Sequence, residues 1–130
     1  MAIVGVVADD VTGANDIGLM YAKHGYRAEV YSDYRQLDIM SVKADVVILD
    51  TNSRCDGPRL AYEKVFDATR RLLPLKCRLM IKKTCSVFRG NIGAEFDAML
   101  DAAGADFAVA ISAFPKNGRV TKDGIHYVRG

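Results

Sequence analysis

The stretch Ile3-Val4-Gly5-Val6-Val7-Ala8, followed directly by Asp9-Asp10, decides the fold of this chain. Residues 3–7 form an apolar run without polar alternation, which is typical of a strand covered on both faces. A second such run, Ala44-Asp45-Val46-Val47-Ile48-Leu49, ends at Asp50. Two strands of this kind predict a parallel sheet that lies buried between layers of helices.

Shorter apolar segments and helical patterns alternate outward from these two strands. Further strands are predicted at residues 27–32, 79–81 and 107–111. The first helix is expected to have Thr12 as its cap and to end at Gly25. Its inward side chains are expected to be Ile17, Met20 and Tyr21.

Two more helices and a hairpin complete the pattern. The second helix starts at Asp56-Gly57-Pro58, where the missing N–H of proline costs nothing, and runs to Pro74. The third covers residues 91–103, and its inward side chains are Ile92, Phe96, Met99 and Leu100. Asp123-Gly124 between β-prone flanks predicts a hairpin over residues 119–128. We therefore predict an α/β fold, a doubly wound, mainly parallel sheet with helices on both faces that ends in a short β-hairpin.

Length, charge and cysteine content argue against several classes of partner and site. The 130 residues fit one domain, and 18 basic against 16 acidic residues leave a net charge of +2. So small an excess gives no electrostatic reason for a nucleic-acid or membrane partner. The apolar start is too short to span a bilayer and has no basic leader. Three cysteines without a CxxC pair favour reduced thiols, a cytoplasmic protein and no metal site.

Polar clusters follow the predicted strands. In an open parallel sheet, ligands bind at the carboxyl ends of the strands. The clusters after strands one, three, four and five are Asp9-Asp10, Asp50-Thr51-Asn52-Ser53-Arg54, Lys82-Lys83-Thr84-Cys85-Ser86 with Arg89-Gly90-Asn91, and Phe114-Pro115-Lys116-Asn117-Gly118-Arg119. So many charged groups at one edge predict a binding site rather than a merely solvated surface.

Two of these clusters indicate the chemistry of the ligand. The adjacent carboxylates of Asp9 and Asp10 repel each other and need a cation or hydrogen-bond donors. Arg89 can hold a carboxylate through two bonds, while Gly90 and the free N–H groups of the following helix favour an anion. We expect a small anionic ligand with hydroxyl groups. The plainer interpretation is that Arg54 and Arg89 are ordinary surface residues.

Other protein classes share parts of this outline. A phosphotransfer receiver domain also has an acidic pair after strand one, and Asp50 would be its phosphate acceptor, with Thr84 and Lys116 nearby. A receiver needs neither Arg54 nor the Arg89-Gly90-Asn91 element. A haloacid-dehalogenase-type phosphatase would need Asp-x-Asp after strand one, and a dinucleotide-binding domain would need GxGxxG there; neither motif is present.

Taken together, the motifs resemble the N-terminal domain of the four-carbon acid sugar kinases. They are Ala8-Asp9-Asp10-Val11-Thr12-Gly13-Ala14-Asn15-Asp16, Asp50-Thr51-Asn52-Ser53-Arg54, Lys82-Lys83-Thr84-Cys85-Ser86-Val87-Phe88-Arg89-Gly90-Asn91-Ile92-Gly93-Ala94-Glu95 and Ala113-Phe114-Pro115-Lys116-Asn117-Gly118-Arg119. This family phosphorylates threonate, erythronate or 3-oxo-tetronate with ATP. The resemblance covers essentially the whole chain.

The resemblance implies that residues 1–130 are the N-terminal part of a sugar-acid-binding domain. A C-terminal domain that this chain lacks would bind ATP with Mg²⁺. The chain alone is then expected to bind no cofactor or metal and to have no kinase activity. Its uncovered sheet edge would favour self-association as a homo-oligomer. A non-enzymatic sugar-acid-binding module is the alternative.

The resemblance also assigns site residues. Asp10 would accept the proton of the substrate hydroxyl, and Asp9 would orient a second hydroxyl. The other substrate-binding residues would be Arg54, Lys83, Cys85, Ser86, Arg89, Gly90 and Asn91. Cys85 stands where the family usually has an aspartate, and Val87 where it has a hydroxyl. Losing a charged hydrogen-bond partner typically costs ~1.5–3 kcal/mol, so either the substrate differs or its binding is weaker.

Overall fold

Four parallel strands form the central sheet of the computed structural model, which describes residues 2–129. They are β1 (Val4–Ala8), β2 (Ala28–Tyr31), β3 (Val46–Asp50) and β4 (Leu79–Lys83). The strand order is β2-β3-β1-β4, so β1 lies between β3 and β4. Ala8 is level with Asp50 on one side and with Lys83 on the other. The carboxyl ends of these three strands therefore lie at one edge.

Helices cover both faces of this sheet, as predicted. Helix α1 (Val11–Lys23) packs on one face, and α2 (Pro58–Leu72) and α3 (Ile92–Ala103) pack on the other. Successive residues of β3 alternate between the two cores: Val46 and Ile48 face the α1 side, and Val47 and Leu49 face the α2 side. A strand buried on both faces has no polar alternation, which is why the apolar runs predicted it.

The start and inner face of α1 differ from the prediction. Its cap is Asp10, in extended conformation, whose carboxylate accepts a hydrogen bond from the Gly13 N–H at 2.8 Å. Thr12 lies inside the first turn and is exposed, so the prediction of Thr12 as cap is wrong. Met20 is 50% exposed, because the helix approaches the sheet through small residues. A Cβ on Gly18 would lie only 3.1 Å from Val30.

The other two helices begin and end close to the predicted residues. Pro58 is the first residue of α2 and Gly57 its cap. Gly104 ends α3 with a left-handed φ of 63°, a conformation that favours glycine. Phe96 and Leu100 are only half-buried, and the fully buried positions of α3 include Ala98 and Ala102. Short 3-10 helices lie at Tyr34–Gln36, Leu73–Leu75 and Pro115–Asn117. Among residues 2–129 no helix combines the length and apolar character needed to cross a membrane.

The predicted fifth strand at residues 107–111 does not form. Phe107, Val109 and Ile111 are 78%, 72% and 81% exposed. Residues 107–112 lie across a groove of about 470 Å³ from β4. Strand pairing needs a separation of about 4.8 Å, and within residues 2–129 this segment pairs with no strand of the sheet. Apolar character predicted burial but did not specify a pairing partner. The polar residues 114–119 are therefore not delivered to the sheet edge by a strand.

The C-terminal hairpin is confirmed. Strands β5 (Arg119–Lys122) and β6 (Ile125–Val128) pair antiparallel. The connecting residues Asp123 and Gly124 both have positive φ, 50° and 75°, as tight hairpin turns require.

Candidate functional site

The loops after β1, β3 and β4 meet at the carboxyl edge of the sheet. The backbone oxygen of Asp9 accepts hydrogen bonds from the N–H groups of Ser53 and Arg54, at 3.0 and 3.2 Å. The Asp9 N–H donates to the carbonyl of Lys83 at 3.3 Å. These bonds continue the sheet by one step beyond its strands and bring the predicted site residues of three loops together.

Arg54 lies between the two adjacent carboxylates. Its Nε and Nη2 each donate to an oxygen of Asp9 at 3.0 Å. Its Nη1 lies 2.7 Å from Asp10 Oδ2. The hydrogen bond with Asp9 raises the pKa of the Arg54 guanidinium, although burial opposes this, so the group stays charged. Arg54 is thus the cation that the Asp9-Asp10 pair was predicted to need.

Asp9 and Asp10 differ in how open they are. The Asp9 side chain is 1% exposed and that of Asp10 is 23% exposed. Asp10 also caps α1 through Gly13, where an added Cβ would lie 2.8 Å from Asp10 Oδ1 and 3.3 Å from Lys83 Nζ. A side chain here would displace the capping carboxylate of Asp10. The ammonium group of Lys83 therefore lies on the Asp10 side of the sheet edge, where it donates to the Thr84 carbonyl at 2.9 Å.

Cys85 is buried under the loop after β4. Arg89 Nε donates to Cys85 Sγ at 3.1 Å. Burial disfavours the thiolate, but the hydrogen bonds from Arg89 and from the backbone of residues 87 and 89 outweigh it and lower the pKa of Cys85. Within residues 2–129 no carboxylate lies at ion-pair distance from the exposed Arg89. Arg89 differs in this from Arg54, all of whose nitrogens face carboxylates.

Gly90 and Asn91 join this loop to the loop after β3. Gly90 has a φ of +97°, and a Cβ there would lie 3.1 Å from Arg54 Cγ and 3.2 Å from its carbonyl oxygen. The Asn91 amide donates to the carbonyls of Ser53 and Asp56, at 3.2 and 2.9 Å. The Asn91 side chain makes no capping hydrogen bond to the first turn of α3.

Ser86 contacts the hairpin. The Ser86 carbonyl accepts a hydrogen bond from His126 Nε2 at 2.8 Å, which fixes the proton of the ring on that nitrogen. The His126 ring also packs edge-on against Phe88, with 5.7 Å between ring centres. Lys116 is exposed in the 3-10 helix Pro115–Asn117.

Sequence reasoning missed a buried polar network below this surface. Lys82 Nζ and Glu95 Oε2 lie 2.9 Å apart, with side chains 2% and 0% exposed. Glu95 also accepts a hydrogen bond from the Ser53 hydroxyl, which contacts the Thr51 hydroxyl at 2.7 Å. Lys82 and Lys83 alternate sides along β4, which predicts that only one of them faces the sheet edge and that the other is a solvated or packing residue. No local signal marked Glu95 as its partner.

Asp50 is almost fully buried beside the acid pair. Its carboxylate accepts a hydrogen bond from the Asn52 N–H at 2.8 Å. Burial raises the pKa of Asp50, and the nearby charges of Asp9 and Asp10 add to that shift. In the described part of the chain no group of three or more His, Cys, Asp or Glu residues could hold a metal ion.

The chain resembles known proteins along nearly its whole length. Residues 4–130 match the family described as a sugar-binding N-terminal domain. A D-erythronate kinase from Heliobacterium modesticaldum is 40% identical over 126 residues, which is 95% of this chain and 29% of the kinase. A D-threonate kinase from Salmonella typhimurium is also 40% identical, over 96% of this chain and 29% of the kinase.

Solved structures agree with this relationship. A Haemophilus influenzae protein of 33% identity superposes with a TM-score of 0.87 over 95% of this chain and 31% of that protein. A Bordetella bronchiseptica protein of 30% identity, described as a domain-swapped dimer with bound citrate, has a TM-score of 0.87 over 97% of this chain and 32% of that protein. The chain thus spans about 30% of the length of its relatives. It belongs to the four-carbon acid sugar kinase family, as a sugar-binding N-terminal domain.

Proposed function

We propose that residues 1–130 bind a four-carbon sugar acid of the threonate, erythronate or 3-oxo-tetronate type and present one of its hydroxyls for ATP-dependent phosphorylation. The family membership supports this, since the relatives include kinases named for each of these acids. Because the chain spans 29% to 31% of those relatives, the complete reaction is a proposal about the longer protein.

The guanidinium of Arg89, which has no carboxylate partner among residues 2–129, carries the proposal. Arg89 is exposed and lies one residue before Gly90, whose left-handed backbone leads directly into the uncapped first turn of α3. A guanidinium and free helix N–H groups together favour a carboxylate. The nitrogens of Arg54 already face carboxylates. We therefore assign the carboxylate of the sugar acid to Arg89, and the participation of Arg54 stays a prediction.

Asp10 is the residue to which we assign the proton of the attacking hydroxyl. It is the more exposed member of the acid pair, and it lies two residues beyond Ala8, the last residue of β1. A carboxylate oxygen accepts more than one hydrogen bond, so the contacts to Arg54 and Gly13 leave capacity for a hydroxyl. Asp9 is buried, so it is poorly placed to contact a second hydroxyl directly. Its two hydrogen bonds with Arg54 favour a role in holding the Arg54 guanidinium in place.

ATP and Mg²⁺ would be supplied from outside the described residues. Residues 2–129 hold no cluster of acidic, cysteine or histidine side chains that could bind a metal. The sequence also has no glycine-rich GxxxxGK[ST] cradle for phosphates. We expect the 130-residue chain to bind the acid without turnover.

Calorimetric titration of the chain with D-erythronate and D-threonate tests this function. Erythritol and threitol are the matched controls, since they carry the hydroxyls but no carboxylate. We expect at least one acid to bind at least about 10-fold more tightly than its polyol, and Arg89→Lys to weaken that acid by about 10-fold, because lysine cannot form the two-bond contact.

Arg59→Lys is the control for the substitution itself, since the Arg59 side chain is 94% exposed and, among residues 2–129, forms an ion pair only with Glu63. It should leave the affinity unchanged. Equal affinities for acid and polyol, or an unchanged affinity in Arg89→Lys, would refute the carboxylate assignment.

A further inference from the structure

We propose that the buried Lys82–Glu95 ion pair is a positioning element, which acts through Ser53 to hold Arg54 against Asp9 and Asp10. Its consequence for the sugar acid rests on the proposed function, but the positioning itself does not. Lys82 lies near the end of β4 and Glu95 in the first turn of α3. Their charged groups are 2.9 Å apart and are almost completely enclosed.

The direction of the hydrogen bonds in the network follows from its chemistry. An ionised Glu95 carboxylate only accepts, so the Ser53 hydroxyl must donate its single proton to Glu95. The Thr51 hydroxyl donates its own proton to the Ala8 carbonyl at 2.9 Å and lies 2.7 Å from the Ser53 hydroxyl oxygen. The Ala8 carbonyl also accepts the backbone N–H of Thr51 at 3.0 Å. The Glu95 carboxylate thus fixes the direction of the Ser53 hydroxyl.

The backbone of Ser53 is also held in place, and this fixes where Arg54 begins. Its N–H donates to the Asp9 carbonyl, and its own carbonyl accepts from Asn91. With the side chain held by Glu95, Ser53 has little freedom in position. Arg54 follows directly and reaches both carboxylates of the acid pair. A substitution at Glu95 should therefore alter the position of Arg54 through the single intervening residue, Ser53.

Stability alone is a weak reason for such a pair. Two buried charges lose their hydration, and apolar side chains of similar volume often stabilise a protein as well or better. Polar groups at this position instead define one arrangement of the loop after β3. If the ion pair has this positioning role, removing its link to Ser53 should increase the mobility of the Arg54 side chain more than it lowers the stability of the core.

Proton exchange at the Arg54 Nε–H, measured by NMR on the 130-residue chain, reports this order without a ligand. The peak is assigned by its loss in Arg54→Lys. Ser53→Ala leaves the ion pair intact and cuts its link to Arg54. Glu95→Gln combined with Lys82→Met replaces the pair by neutral side chains. Thr69→Val is the control, since it removes a fully buried hydroxyl of α2 that, within the described residues 2–129, bonds only to the Val65 carbonyl.

We expect exchange at Arg54 to become about 10-fold faster in Ser53→Ala and in the double variant, as the loss of a hydrogen bond to a charged group implies. The amides of β1 and β3 should change less than about 2-fold in Ser53→Ala, and Thr69→Val should leave Arg54 unchanged. Unchanged exchange at Arg54, or equal acceleration at Arg54 and in the strands, would overturn the proposal. If the double variant does not fold, Ser53→Ala against Thr69→Val decides alone.

A titration of Ser53→Ala with the sugar acid extends the test. If the unaltered chain binds the acid, Ser53→Ala should bind it about 10-fold more weakly. An affinity equal to that of the unaltered chain would contradict the link from Ser53 to the site. If the unaltered chain binds no acid, the proposed function fails, and the exchange rate of Arg54 still decides the positioning role.

Discussion

Arg54 shows how one residue makes an otherwise unfavourable arrangement stable. Asp9 and Asp10 are adjacent, and Asp9 is fully enclosed. Two such carboxylates would repel each other at this sheet edge. The planar guanidinium meets Asp9 through two bonds and Asp10 through a third nitrogen. Lysine could not contact both carboxylates in this way, because it presents a single nitrogen.

Cys85 allows a test of the local charge at the candidate site. Its pKa lies below the ordinary 9.0, because the hydrogen bonds from Arg89 and from the backbone of residues 87 and 89, with the charge of Arg89, together outweigh burial. In a background with Cys55→Ser and Cys77→Ser, the thiolate absorbance should titrate with a midpoint below 9.0. Arg89→Gln should raise that midpoint, since it removes the charge beside the sulfur.

The same shift predicts how stability depends on pH. A group whose pKa is lowered by folding stabilises the protein fully above its unfolded value and loses that contribution as the pH falls through its folded value. The difference in unfolding free energy between Cys85 and Cys85→Ser proteins should therefore grow as the pH rises toward 9.0. A midpoint unaffected by Arg89→Gln, or a stability difference independent of pH, would contradict this account.

At the scale of elements, the loop from β4 to α3 depends on the backbone of Gly90. Its φ of +97° and its contact with the Arg54 carbonyl leave no unstrained place for a side chain. We expect Gly90→Ala to lower the unfolding free energy by ~1–3 kcal/mol in urea titrations. It should also weaken binding of the sugar acid, because the loop would move away from Arg54.

Gly93→Ala is the matched control for this substitution. Gly93 lies in the first turn of α3, and a Cβ there would meet nothing within 4 Å. Alanine is the better helix former, so this variant should be neutral or more stable by up to ~1 kcal/mol. If the two variants were equally stable, Gly90 would not be under the strain inferred here.

The central elements could be predicted from the sequence because their signals are local. The apolar runs predicted β1 and β3, Pro58 predicted the start of α2, and Asp123-Gly124 predicted the hairpin turn. Each of these features depends on residues that are neighbours in the chain.

The features that could not be predicted depend on distant partners. Asp10, not Thr12, caps α1, and its other oxygen lies 2.7 Å from Arg54, which is 44 residues further along the chain. Residues 107–111 have the composition of a strand, yet the groove beside β4 separates them from it. The partner of Lys82 is set by how α3 docks on the sheet, which no local pattern contains. The same holds for the ion pair that carries our positioning proposal.

For the whole molecule, the candidate site and the open apolar groove lie next to each other. The loops after β1, β3 and β4 carry the acid pair and both arginines, and the buried Lys82–Glu95 pair joins β4 to α3. The groove of about 470 Å³ lies beside the edge strand β4, is lined mostly by apolar side chains, and is bordered by Thr84 and Phe88 of the loop that also carries Arg89. We therefore expect a hydrophilic acid at the charged loops and an apolar ligand in the adjoining groove.

Chemical-shift mapping by NMR during titration with D-erythronate or D-threonate tests the central claim most directly. The account predicts that the amides that respond cluster in residues 9–13, 51–54 and 84–92, together with the Arg89 side chain, and that Asp10→Asn and Arg89→Lys reduce the response. Shifts confined to residues 79–81 and 107–112 around the groove, or no shifts with either acid, would contradict it.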